Sequence, residues 1–244
     1  MEHYRSKETG LSSIPALFKQ SAQRVASDAV NRFLNHGVRV IGLGSGPMAA
    51  AIVREISRLP HKANLQCVAT STQIKLEAED GDLKIGTEDL ITRLEVVFDG
   101  ADQVDRDGNM IKGGGGALLR EKILHGAAKT VLITAESTKY VESFNRSVPI
   151  EIHPFARHIV QKKLEDLGGE PRLRMLDEGY VYVTENGNFI LDTKFRSLSE
   201  VGSREVELKS IPGVLEVGLF TRRADMYYKA KQDGSFEKIR LRKS

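Results

Sequence analysis

Between Pro15 and about Leu34 the apolar residues Leu17, Phe18, Ala22, Val25, Ala26, Ala29, Val30 and Phe33 recur at helical spacing, which predicts an amphipathic helix. His36 and Gly37 end it, and VRVIGL follows as a short, largely apolar run, the pattern of a strand covered on both faces. The alternation then repeats. MAAAIVREISRL is helical up to Pro60, LQCVAT is a strand, and STQIKLEAEDG is a helix whose leading hydroxyls suit an N-cap. DLKIG reads as a short strand, TEDLITRL as a short helix, EVVFDGAD as a strand with acids at its carboxyl end, GALLREKILHGAA as a helix and KTVLITAES as a strand. Such alternation predicts a parallel sheet with helices on both faces, which places a ligand beyond the carboxyl ends of the strands. Residues 1–12 carry no recurring apolar position and are expected to be a flexible leader.

From Pro149 the texture changes. A β-like PIEIHP leads into a helical FARHIVQKKLEDLGG, strands near PRLRML and along YVYVTENGNFILDTKF, a helical VGSREVELKSI, and a last strand in IPGVLEVGLF after the Pro212–Gly213 turn. This order is ferredoxin-like. ADMYYKA and FEKIRLRK flank a turn at Asp233–Gly234 and, without partners of their own, are expected to rejoin the first sheet. The predicted fold class is α/β: a Rossmann-like parallel-sheet domain with helices on both faces, plus a small ferredoxin-like α+β domain. The expected boundaries are 13–148 together with 222–244 for the first and 149–221 for the second.

Composition narrows the function only a little. A chain of 244 residues with 40% hydrophobic and 28% charged residues is long enough and apolar enough to bury a core. Lys plus Arg at 36 against Asp plus Glu at 33 leaves +3, dispersed along the chain, which gives no argument for nucleic acid and none against a small anion. The lone Cys67 has no internal disulfide partner and sits in a predicted strand, so a buried, inert thiol is expected. Six His residues without a Cys/His ladder carry no structural zinc signature, and no run approaches the length of a membrane span. The start MEHYRSKETG is polar, and a cytoplasmic chain is expected.

Four constellations fall at predicted strand ends. Gly42, Gly44, Ser45 and Gly46 make a glycine-rich turn between strand and helix, which reads equally as a phosphate cradle or as a structural turn, since Pro47 and Met48 depart from the dinucleotide fingerprint and no P-loop lysine follows. Thr70, Ser71 and Thr72 offer hydroxyls for a pocket or a helix cap. The strongest group is Asp99, Asp102, Asp105, Lys112, the run Gly113, Gly114, Gly115 and Gly116, and Glu121. Glycines in regular structure cost about 0.5–1 kcal/mol each relative to Ala, so four in a row point to close backbone approach near a ligand. Paired carboxylates prepare acid/base chemistry, Lys112 suits a developing enediolate oxygen, and Glu121 is a candidate proton-transfer base. Lys139, beside Ser137 and Thr138, is a candidate anion binder. His153 and His158 read as satisfied histidines, Asn186–Gly187 as a hairpin turn, and Phe144, Phe155, Phe189 and Phe220 as packing residues.

The segments IGLGSG, VATSTQ, FDGADQVD with NMIKGGGGALLREKI, PIEIHPFA, VTENGNFILD and IPGVLEVGLF, in this order, resemble ribose-5-phosphate isomerase, type A, from roughly Arg24 to Arg240. The resemblance implies interconversion of ribose 5-phosphate and ribulose 5-phosphate through a cis-enediolate, with neither metal nor organic cofactor, by a homodimer or homotetramer that binds neither nucleic acid nor membrane. By the same resemblance Glu121 is the general base between C1 and C2, Asp99 the partner in ring opening, and Asp102 and Lys112 binders of sugar hydroxyls and stabilisers of the intermediate. Ser45, Ser71 and Lys139 belong to the substrate surface, with Lys139 on the phosphate side.

Three positions depart from the family pattern. Gly46, Pro47 and Met48 stand where Gly-Ser-Thr is usual, Arg24 where a Lys is offered to the phosphate, and Gln103 where an acid follows the GAD motif. Loss of one charge-assisted hydrogen bond costs about 1.5–3 kcal/mol, enough to change substrate preference. A related pentose or pentose phosphate, or a sugar-phosphate-binding protein without catalysis, therefore stands as the alternative, and a dinucleotide-binding oxidoreductase as a weaker third.

Overall fold

The computed structural model describes residues 16–34 and 37–241; the leader expected over residues 1–12 lies outside them. Helix α1 (Ala16–Phe33) buries Phe18, Ala22, Val25, Ala26, Ala29 and Val30 in one core, while Leu17, at the edge of the predicted stripe, is 54% exposed. Strand β1 (Val40–Leu43) is buried at every position, which its unbroken apolar pattern requires. Helix α2 (Gly46–Ile56) carries Pro47 in its first turn, where a missing N–H has no intrahelical acceptor to lose. Strand β2 (Gln66–Ala69) leads to α3 (Thr72–Asp80), whose cap is the Ser71 hydroxyl accepting from the Ile74 N–H at 3.3 Å. After β3 (Lys84–Ile85), TEDLITRL forms a 3-10 helix over Glu88–Arg93 before β4 (Val96–Gly100). Two short strands, β5 (Gln103–Val104) and β6 (Met110–Ile111), precede α4 (Leu118–Ala127) and β7 (Thr130–Glu136).

Strand β8 (Val148–Ile152), α5 (Arg157–Asp166), β9 (Gly169–Leu173), β10 (Phe189–Phe195), α6 (Val201–Lys209) and β11 (Val214–Val217) build a second, antiparallel sheet in the order β11-β8-β10-β9, the ferredoxin-like arrangement. The turn expected at Asn186–Gly187 divides YVYVTENGNFILDTKF, with Gly187 at φ +78°. Tyr180–Val183 pairs only through a bridge between Met175 and Val181, and the turn closed by Gly187 N–H to Thr184 O at 2.9 Å delays β10 to Phe189. The buried Glu151 on β8 is the reason: its Oε1 accepts from the side chains of Thr184, Asn186 and Asn188, folding the segment inward.

Strand β12 (Leu219–Phe220) pairs with β6 in a small three-stranded sheet that the sequence pattern does not predict. Strands β13 (Met226–Ala230) and β14 (Phe236–Ile239) then lie at one edge of the large sheet, ordered β14-β13-β7-β4-β1-β2-β3, with β13 parallel to β7 and β14 antiparallel. From β1 the chain steps outward to β2 and β3, then returns to the other side of β1 at β4. The carboxyl ends of β1 and β4 therefore diverge at the point where an open α/β sheet offers a crevice.

No helix among the described residues is long and apolar enough to cross a membrane. Cys67 on β2 is fully buried, and burial pushes its thiol up to about 12. In the native protein Cys67 is expected to resist iodoacetamide at mildly alkaline pH and to react in full once the chain is unfolded in urea. Stoichiometric labelling of the folded chain would contradict the closed packing around β2.

Candidate active site

Asp99 sits at the carboxyl end of β4 with no exposed surface. Its side chain lies across the end of β1 because Gly44 has none: a Cβ there would collide with the Asp99 carboxylate. Gly44, expected to touch substrate, instead makes room for Asp99. Oδ1 of Asp99 accepts from the Gly100 N–H at 2.7 Å and the Ser45 N–H at 3.3 Å. Oδ2 meets Lys112 Nζ at 2.9 Å and His125 Nε2 at 2.8 Å.

Lys112 follows β6, and its backbone N–H donates to Gly218 O at 2.9 Å, so the β6–β12 pairing sets its place. Its ammonium donates to Gly100 O at 2.6 Å and forms an ion pair with Glu121 Oε2 at 3.1 Å. Glu121, in the first turn of α4, takes the Ser45 hydroxyl on Oε1 at 2.5 Å. Burial, followed by the charge of Asp99, raises the Glu121 carboxyl to about 7 against the opposing pull of Lys112 and Ser45. Burial also works to raise Asp99, but Lys112 and then His125 outweigh it and hold that carboxyl at about 2. Burial opposes the charge on Lys112 too; Asp99 and Glu121 overcome it and raise the ammonium above its ordinary value. Burial lowers His125, so the neutral ring donates to Asp99. Two carboxyls with values driven apart beside one fixed cation form an acid/base device.

A cleft of about 190 Å³ opens over this cluster. Ser45, Gly46, Asp102, Lys112, Gly113, Gly114, Glu121 and Lys139 line it, together with Pro47, Met48, Gly115 and Thr134. Asp102 accepts the Gly114 N–H at 2.7 Å, which ties the two walls together. Asp99 stands behind Lys112 rather than on the wall.

Several expected binders lie elsewhere. Arg24 donates from α1 to Gly234 O at 3.2 Å, in the turn between β13 and β14. Thr70 Oγ1 donates to Leu43 O at 3.1 Å, Ser71 caps α3, and the Thr72 N–H donates to Glu185 at 2.7 Å. The physical reason is strand order: these hydroxyls follow β2, on the side of β1 away from β4, where Ser71 and Thr72 face a separate, wider cleft with Lys75, Arg120 and Glu185. Asp105 accepts the N–H groups of Asp107 and Asn109 and shapes its own turn. Gln103 points away from the cleft and binds Asn145 and Arg146. Sequence reasoning missed His125, although its spacing of four from Glu121 puts both on one face of a helix.

Glu121 carries a pH signature. Its folded value of about 7 lies above the ordinary 4.5, so between the two the folded chain keeps a proton that the unfolded chain releases, and stability falls as pH rises through that window. Asp99 behaves oppositely: its contribution is complete above 3.8 and lost as pH falls towards about 2. Thermal melts of the wild type and Glu121→Gln are expected to diverge between pH 4.5 and 7, with the variant losing the downward slope. Parallel curves would contradict the raised carboxyl.

Comparison with known proteins gives a consistent picture. The family model for ribose 5-phosphate isomerase A (phosphoriboisomerase A) matches residues 66–234. The chain is 35% identical to ribose-5-phosphate isomerase A of Methanosarcina acetivorans over 91% of its own length and 95% of the relative's. It is 38% identical to ribose-5-phosphate isomerase of Dictyostelium discoideum, over 86% and 93%. Among solved structures, a D-ribose-5-phosphate isomerase in complex with phospho-erythronic acid superposes with a TM-score of 0.85 at 32% identity, covering 91% of this chain and 99% of that one. The enzyme of Methanocaldococcus jannaschii superposes with a TM-score of 0.84 at 30% identity and the same coverage. The chain belongs to the ribose 5-phosphate isomerase A family.

Proposed function

We propose that this chain interconverts ribose 5-phosphate and ribulose 5-phosphate with Glu121 as the base, an assignment carried by one observation: a buried carboxyl on the wall of a cleft, 3.1 Å from a buried ammonium, with burial raising its value. With the open-chain sugar in the cleft, Glu121 Oε2, which accepts no hydrogen bond among the described residues, takes the proton from C2 of the aldose. The electron pair moves towards the C1 carbonyl, forming the cis-enediolate, whose oxygen faces the Lys112 ammonium. Glu121 then returns the proton to C1 while the proton of the C2 hydroxyl passes to the C1 oxygen, giving the ketose with its carbonyl at C2. Asp102, on the opposite wall, binds the sugar hydroxyls.

Ring opening by Asp99 asks for a carboxylate on the cleft wall, and Asp99 stands behind Lys112; we therefore give it the task of keeping Lys112 charged and Glu121 basic. The phosphate is assigned to the Lys139 side and to the amino end of α2 at Gly46. A homo-oligomer belongs to the same proposal, supported by Phe155 and Ile159, apolar side chains 96% and 56% exposed.

A second reading concerns the substrate. Pro47 and Met48 line the cleft with carbon where hydroxyls would serve a phosphate, which favours a pentose phosphorylated differently. One set of assays covers both readings. Ribulose 5-phosphate is expected to form from ribose 5-phosphate, with the rate rising with pH through about 7, and Glu121→Gln is expected to lower kcat by about 10²–10⁴-fold. Failure of the wild type to convert this sugar, with turnover of another aldose phosphate, would move the substrate and keep the reaction. Binding without exchange of the C2 proton in deuterated water would leave only a sugar-phosphate-binding protein. Replacing Pro47 by Ser and Met48 by Thr is expected to lower KM for ribose 5-phosphate.

A further inference from the structure

The run Gly113–Gly116 forms part of the cleft wall and has no side chains with which to hold its shape. Gly113 and Gly116 stand at φ +98° and +84°, and unrestrained glycines sample both signs of φ freely. On the cleft side the loop is tied by the Gly114 N–H, held by Asp102 at 2.7 Å. On the outer side it meets the hairpin that follows β9. Arg174 Nη1 donates to Gly113 O at 2.9 Å and to Gly114 O at 3.1 Å, and the Tyr182 hydroxyl donates to Gly115 O at 3.0 Å. Three successive carbonyls are thereby turned out of the cleft.

Arg174 is itself held. Its Nε and Nη2 meet the two carboxylate oxygens of Asp192 on β10 at 2.8 Å and 2.5 Å, and its guanidinium lies 5.6 Å from the centre of the Tyr182 ring. A bidentate pair gives the guanidinium one orientation, which a lysine cannot reproduce. Tyr182 also occupies the space that a Cβ on Gly116 would need.

We propose that Asp192, Arg174 and Tyr182 form a clamp that shapes the glycine wall for the sugar, with Arg174 as the central positioning residue. The clamp keeps carbonyl oxygens, each a partial negative charge, away from an anionic substrate and keeps the Gly114 amide turned towards Asp102. None of its members lines the cleft. The inference rests on the assignment of this wall to substrate binding.

The test compares the full-length wild type with Tyr182→Phe and Arg174→Lys, which keep bulk and charge, by steady-state kinetics on ribose 5-phosphate, pH profiles, thermal melts and amide hydrogen exchange. KM is expected to rise about three- to tenfold in Tyr182→Phe, the loss of one hydrogen bond, and more than tenfold in Arg174→Lys. The acid limb set by Glu121 is expected to stay in place, and exchange over 113–116 to speed up by about tenfold or more while that of β7 holds. KM within twofold of wild type and unchanged loop exchange would overturn the clamp. So would a loss matched by equally faster exchange in β7 and a lower Tm, which marks a merely structural role, or a displaced acid limb. If the wild type itself leaves ribose 5-phosphate unconverted, the substrate assignment fails, and the exchange over 113–116 still decides whether the clamp holds the loop.

Discussion

One ammonium serves two buried carboxyls, and the site is organised around that shortage of positive charge. Lys112, Asp99 and Glu121 are each no more than 3% exposed, so every charge among them must be matched within the cluster. Asp99 claims the larger share, with Lys112, His125 and two backbone amides all directed at it. Glu121 is left with the Ser45 hydroxyl and a slightly longer ion pair to Lys112, at 3.1 Å. The carboxyl with the poorer company is the one that burial raises, which suits the role of base proposed for it.

The three partners come from three separate parts of the chain, and the fold imposes their meeting. Asp99 ends a central strand, Lys112 follows a short strand pinned by β12, and Glu121 begins α4. The residue after Glu121 shows how the helix is oriented. Lys122 Nζ bonds Glu205 at 2.6 Å, Glu216 at 3.0 Å and the carbonyls of Val217 and Leu219, beside the Phe220 ring at 4.5 Å. With Lys122 anchored on the chain that leaves the four-stranded sheet, the neighbouring Glu121 is turned to the cleft. The four-stranded sheet therefore helps to orient Glu121 without supplying a member of the charged cluster.

The departures at Pro47 and Met48 acquire a location in this frame. The one hydroxyl remaining in the glycine turn, on Ser45, is engaged by Glu121. Under the proposed function, polar recognition at that end of the cleft falls to Lys139, Thr134 and the first turn of α2. Gln103, by contrast, lies outside the cleft and organises the Asn145–Arg146 backbone, so its departure bears on loop packing.

Periodicity made the βαβ alternation and the ferredoxin-like order legible, because apolar spacing is a local property and parallel strands need their crossover helices in between. The sequence also pointed to Asp102, Lys112, Gly113, Gly114 and Glu121 as one group, since residue types suited to one site cluster within residues 102–121, and all of them line the same cleft. What it left undecided depends on which distant segments adjoin. Strand order alone sends Thr70, Ser71 and Thr72 to the far side of β1, and the β13–β14 turn takes the side chain of Arg24. Tertiary contact brings His125 onto Asp99, gives Gly44 its purpose, and gathers Thr184, Asn186 and Asn188 of the expected turn around Glu151. It also drives the values of the Asp99 and Glu121 carboxyls apart, because burial and the sharing of Lys112 exist only once the chain has closed around them.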